Sequence, residues 1–162
     1  MNTFLNTILI VIGFISFIPV INIFKSAESK KYRCLKYLIY TTFAWTLIVF
    51  IERFVSSLSM VYYAHMLSYP VKFFLAATML CTIFDYIERK MPRWVFYTLG
   101  ILLLGEMVLA LSNDSTNYIL ELSIINMQSF NDLYNSANGS LFIVHLVITY
   151  LVLVLTIIYL FV

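Results

Sequence analysis

Apolar residues fall in long, nearly unbroken runs along this chain, and polar residues gather in the short stretches between them. A helix needs roughly 20 apolar residues to cross the hydrocarbon core of a bilayer, because each residue rises only about 1.5 Å. Five runs approach or reach that length, at residues 5–24, 38–51, 66–87, 95–111 and 140–162. The third has a blurred start, between Val61 and Val71, because Pro70 either opens the helix or kinks it. The first is not a cleavable signal peptide: no basic residue precedes it, it is too long, and no small-residue cleavage site follows. The pattern predicts an all-α membrane bundle of five spans in a single transmembrane domain.

Between the fourth and fifth runs lies a polar stretch of 28 residues, Ser112 to Gly139, long for a plain connector. Its segment Tyr118-Ile119-Leu120-Glu121-Leu122-Ser123-Ile124-Ile125 is β-prone with partial alternation. A turn at Asn126 would bring it back against Ser129-Phe130 as a small hairpin over the mouth of the bundle.

Composition agrees with the pattern. The chain is 62% hydrophobic and 11% charged, whereas a soluble domain holds about 45–50% apolar and 25% charged residues. A soluble enzyme and a nucleic-acid binder are thereby excluded, and the lipid bilayer is the first partner. The placement of charge says more than its sum of +2. Lys25, Lys30, Lys31, Arg33 and Lys36 lie in one loop and Arg89, Lys90 and Arg93 in another on the same side. By the positive-inside rule both loops are cytoplasmic, and the N-terminus of this plasma-membrane protein is outside. The fifth run ends at Tyr159-Leu160-Phe161-Val162 without a polar anchor, which reads as part of a longer chain entering the cytoplasm.

Catalytic chemistry is not apparent. Cys34 and Cys81 fall on the cytoplasmic side and are two lone thiols without paired spacing, so neither a disulfide nor a metal site is expected. His65 and His145 belong to no metal-ligand motif, and there is no phosphate loop or nucleophile elbow. No cofactor is implied.

Charges at membrane depth cost about 2.5–3.5 kcal/mol each near the bilayer centre, so each asks for a reason. Glu52 and Arg53 close the second run, Lys72 opens the third, Glu106 sits one turn before the end of the fourth, and His145 lies five residues into the fifth. All are at the outer level. Trp45, Val49 and Glu52 share one stripe, as do His145, Thr149 and Thr156 with Tyr150 beside them. One reading is a cavity opening outward, with a floor near Trp45 and a rim of Glu52, Lys72, Glu106 and His145. The plain alternatives are a structural Glu106–Lys72 ion pair, a helix–helix hydrogen bond for His145, and lysine snorkelling.

A wider pattern carries a family resemblance. It consists of the basic first loop, Trp45 with Glu52, Tyr69-Pro70, Phe84-Asp85-Tyr86 and Pro92-Arg93-Trp94. It continues with Leu109-Ala110-Leu111-Ser112-Asn113, then Gly139-Ser140-Leu141-Phe142-Ile143-Val144-His145-Leu146, then Tyr150-Leu151-Val152-Leu153. This resembles the N-terminal seven-transmembrane sensor region of bacterial histidine kinases and some diguanylate cyclases, over roughly Arg33 to Phe161. The resemblance implies two further spans, a cytoplasmic output domain, a homodimer, and a segment that is not itself an enzyme. Taken with the charges at the outer level, it gives Trp45, Glu52, Lys72, Glu106, Asn113, His145 and Tyr150 as expected contacts for an extracellular small molecule or peptide. Where the family often has a His shortly after the Asn, this chain has Asp114-Ser115-Thr116-Asn117-Tyr118. A small transporter or channel subunit, or a membrane assembly protein acting by helix–helix contact, remains the rival reading.

Overall fold

The computed structural model describes Val11 and residues 33–161; the first expected span, 5–24, lies outside the described residues apart from Val11. Within residues 33–161 five helices follow in order: α1 (Arg33–Phe54), α2 (Leu58–Tyr86), α3 (Arg93–Thr116), the short α4 (Phe130–Asn135) and α5 (Phe142–Phe161). All but α4 are long and apolar enough to cross a membrane. The chain therefore alternates between two ends. A loop end carries the 55–57 turn and the 117–141 segment, and a basic end carries Arg33, Arg89, Lys90 and Arg93.

Helices α1, α2 and α3 overrun the apolar runs that announce them. Ser57 caps α2, its Oγ accepting from the Met60 amide at 3.5 Å, so α2 begins well before Pro70, which sits inside the helix. At its other end α3 continues through Ser112 and Asn113 to Thr116 and stops where Asn117 takes a left-handed conformation, φ 54°. The Asn117 amide then donates to the Asn113 carbonyl at 2.8 Å.

Helix α2 is the hub. It packs against α1, α3 and α5. Of its most apolar window 50% is buried, against 6% for α1 and 17% for each of α3 and α5. Those three therefore present most of their surface outward, as helices facing lipid do. From the middle of the bundle to its basic end, Phe73, Ala76, Leu80 and Phe84 of α2 pack in one cluster with Leu99 of α3 and Val152 of α5. Alanines here let backbones approach, which matters in lipid, where burial of apolar surface gives no net drive between helices. Exposed aromatics ring both ends, with Tyr37, Tyr86, Trp94 and Tyr97 at the basic end and Tyr63 and Tyr118 at the loop end.

The loop end is closed by a cap rather than by the expected hairpin. Among the described residues no strand forms; Leu120 and Asn138 make a lone antiparallel bridge. Around it the amides of Glu121, Gly139 and Leu141 donate to the carbonyls of Ala137, Ile119 and Tyr118 at 2.8–2.9 Å. Ser129-Phe130, the expected returning strand, instead opens α4. The cause is a capping box: the Asp132 carboxylate accepts from the Ser129 amide at 2.7 Å and the Gln128 amide at 2.8 Å. Those amides hold the Asp132 carboxyl below the usual carboxylate range. Ile119, Leu120, Met127 and Leu133 of the cap are buried against Val61, Tyr62, Met66 and Tyr69 of α2.

Gly139 fixes how closely the cap folds back. A Cβ there would stand 2.3 Å from the Asn117 carbonyl oxygen and 2.4 Å from that of Tyr118. Both are backbone atoms with no side-chain freedom to yield.

Candidate functional site

Beneath the cap, polar side chains from four helices meet. Glu106 of α3 and His145 of α5 are each 4% exposed, and His145 Nδ1 lies 2.7 Å from Glu106 Oε2. With the carboxylate ionised, Nδ1 carries the hydrogen and donates it. A second pair links α1 to α2, with His65 Nδ1 3.1 Å from Glu52 Oε1. Two carboxylates at membrane depth are thus each met by an imidazole, which offsets the cost of placing them there.

Tyr69 joins the two pairs. It lies four residues after His65 on α2, hence on the same face, and its hydroxyl is 3.4 Å from His65 Nε2. Its ring meets His145 edge to face at 5.1 Å and Phe142 at 6.1 Å. Lys72, three residues further along that face, holds its ammonium 5.0 Å from the centre of the same ring. The connected order is Glu52, His65, Tyr69, His145, Glu106, with Lys72 stacked on the middle member. Lys72 and Glu106, whose ion pair was one of the plain alternatives, are engaged separately, because α5 brings a histidine to Glu106.

Asn113 does different work. It is 0% exposed, and its Oδ1 accepts from the amides of Ile119 at 2.7 Å and Leu120 at 3.0 Å. Its Nδ2 donates to the Tyr62 hydroxyl at 3.1 Å and the Leu120 carbonyl at 3.2 Å. One side chain at the end of α3 so fastens the cap and ties it to α2. Asp114 adds a contact by accepting from the Ile124 amide at 2.6 Å. These bonds also explain why 118–125 is no strand: Asn113 takes two of the amides that a partner strand would need.

The remaining site residues stand apart. Trp45 is 37% exposed on α1, and Tyr150 is 61% exposed on α5, next to the buried Thr149. Of the seven expected contacts, the cluster unites Glu52, Lys72, Glu106 and His145, the cap uses Asn113, and Trp45 and Tyr150 face outward. Sequence reasoning passed over His65 because no ligand motif contains it. The available signal was its spacing to Tyr69 and Lys72 on one helical face. The Thr149 and Ser68 hydroxyls are buried without a hydrogen-bond partner.

Open space lies at the other end. A cavity of about 660 Å³ is lined by Cys34 and Tyr37 of α1, Phe74, Thr78, Cys81 and Asp85 of α2, and Phe96 of α3. A neighbouring one of about 580 Å³ adds Met91, Arg89 and Lys90 of the α2–α3 connection. The two thiols, remote in sequence, line the same cavities, and both are free.

No curated protein and no solved structure is similar to this chain by a significant match. The four long apolar helices mark a membrane protein. The model of the N-terminal 7TM region of histidine kinase matches residues 8–162, and the chain therefore belongs to that family, a sensor region that is not catalytic by itself.

Proposed function

We propose that this region is the membrane-embedded input module of a histidine-kinase receptor. A small molecule or peptide from outside engages the loop end, and the basic end reports to a cytoplasmic output domain, in a homodimer with the N-terminus outside. The observation that carries this reading is the Tyr69 junction, where a pair joining α1 to α2 and a pair joining α3 to α5 touch one side chain.

A ligand shifts a helix equilibrium only by binding two packings with different affinity. A group that competes for Glu52, His65 or Lys72 alters what Tyr69 touches, and Tyr69 leans on His145. The same two helices, α2 and α5, meet again at the basic end, where the Phe84 and Tyr159 rings stand 4.8 Å apart. A tilt of α5 against α2 at one end is therefore felt at the other through a packed interface. The positive-inside rule orients the module, with Arg89, Lys90 and Arg93 in the cytoplasm.

The test places spin labels at Tyr86 and Phe161, both exposed at the basic ends of α2 and α5, in the chain reconstituted in bilayers. Tyr69→Leu and Glu106→Gln are expected to shift or broaden the label-to-label distance, and Tyr150→Phe to leave it unchanged. The same substitutions in the kinase bearing this region are expected to change basal autophosphorylation. An unaltered distance and unaltered phosphorylation in both site variants would overturn the proposal.

A further inference from the structure

The sulfur atoms at the basic end form a cluster that the histidine–carboxylate network does not use. Cys34 comes from the first turn of α1, Cys81 from the last two turns of α2, and Met91 from the connection to α3. The Cys81 thiol donates to the Met91 thioether at a sulfur–sulfur distance of 3.9 Å, and Cys34 lines the same cavity, its amide held by Asp85 one helical turn from Cys81. All three side chains line the 580 Å³ cavity, so the group is reachable rather than sealed in the core.

The Cys81–Met91 spacing suits a metal. Two sulfurs bound to one ion at about 2.3 Å stand roughly 3.8 Å apart in a tetrahedral site and 4.0 Å apart in a trigonal one. The donor set decides which metal. Two thiols and a thioether are soft ligands, which select a soft d¹⁰ cation such as Cu(I), whereas zinc is ordinarily held by four harder or all-thiolate ligands. Asp85 stands at the rim, its carboxylate accepting from the Cys34 amide at 3.1 Å and thereby fixing the start of α1 beside Cys81. Arg89 and Lys90 border the same cavity. They suit the net negative charge of one univalent cation bound by two thiolates and a neutral thioether.

We infer that Cys34, Cys81 and Met91 form a trigonal, all-sulfur site for a soft univalent cation, Cu(I) or its analogue Ag(I), bridging α1, α2 and the α2–α3 connection. Binding releases two thiol protons and forms two metal–thiolate bonds and one metal–thioether bond, with no change of oxidation state.

The probe is Cu(I) itself, kept reduced by ascorbate and delivered from a chromogenic chelator to the whole chain in detergent or bilayers without oxygen. One Cu(I) per chain is expected, with absorption spectroscopy at the copper edge reporting three sulfur neighbours. Cys34→Ser/Cys81→Ser is expected to abolish the transfer. Met91→Leu, which leaves both thiols and the helix ends in place, is expected to loosen binding by about tenfold. Bound metal is also expected to shield both thiols from alkylation, and circular dichroism checks that each variant keeps its helix content. Transfer that survives the double serine variant overturns the inference. So does failure of the wild-type chain to withdraw copper, or oxidation of the two thiols to a disulfide with no metal retained.

Discussion

Substituting Glu106 and His145 singly and together measures the most buried link of the network. The side chains are 5% and 4% exposed and 2.7 Å apart, so neither has water to fall back on once its partner is removed. Glu106→Leu leaves His145 Nδ1 without an acceptor, and an unsatisfied buried polar group costs about 1–3 kcal/mol. The double variant removes both demands together and is expected to be nearer to wild type than the sum of the singles. Interhelical hydrogen bonds in membranes average about 0.6 kcal/mol and reach about 1.7 kcal/mol, because the unfolded chain in lipid finds other partners. A short, dry, charged bond belongs at the upper end, so a coupling of about 1–2 kcal/mol is expected. The Glu52–His65 pair is a built-in comparison at 3.1 Å with 13% and 18% exposure, and its coupling should be smaller. Reversible unfolding in mixed micelles supplies all the free energies. Zero coupling at Glu106–His145, or a larger value at the wetter pair, would refute the argument from burial.

Asn113→Leu orphans the Ile119 and Leu120 amides, costs about 2–4 kcal/mol, and should speed hydrogen exchange at those amides while sparing the middle of α2. Gly139→Ala drives a methyl into two carbonyl oxygens and should destabilise the cap by about 1–3 kcal/mol, read as faster proteolysis between Tyr118 and Ser140. For Asp132 the folded carboxyl lies below the unfolded value of 3.8. Its support of α4 is therefore present above that value and lost as pH falls through the lower folded one. Protection of the Gln128 and Ser129 amides should weaken in that acid window, and Asp132→Asn should abolish the pH dependence. A reporter fused after Lys31 should lie in the cytoplasm; an extracellular one would invert the orientation.

Much of the bundle was legible because the bilayer enforces it: long apolar runs must be helices that satisfy their own backbone. The helix ends were not, because they are set by capping and by polar residues that hydropathy reads as loop. Helix α2 starts at Leu58 because of Ser57, and α3 reaches Thr116 through Asn113 and Asp114. The misplaced hairpin has the same origin. The Ser129-to-Asp132 spacing announces a helix start, but the β-propensity of 118–125 points to a strand, and the side chain that captures its amides lies on another element.

At the site, Glu52, Lys72, Glu106 and His145 were legible because a costly side chain is visible in a hydrophobic run. What it could not assign was pairing. Glu106 had Lys72 and His145 as candidates at one level, and helix rotation alone decided between them. His65 escaped because a histidine in a stretch of tyrosines carries no motif. Cys34 and Cys81 looked solitary because their juxtaposition depends on antiparallel packing of α1 and α2.

The central claim is that acids at membrane depth on two helices are each held by a histidine of another, with Tyr69 between. Dipolar-recoupling solid-state NMR on the chain in lipid bilayers reads it directly, between the Glu106 carboxyl carbon and the His145 Nδ1. Direct contact there, matched by contact between Glu52 and His65 Nδ1, is the predicted result. A Glu106 carboxyl that instead couples to Lys72 Nζ, or to no imidazole nitrogen, would contradict the account.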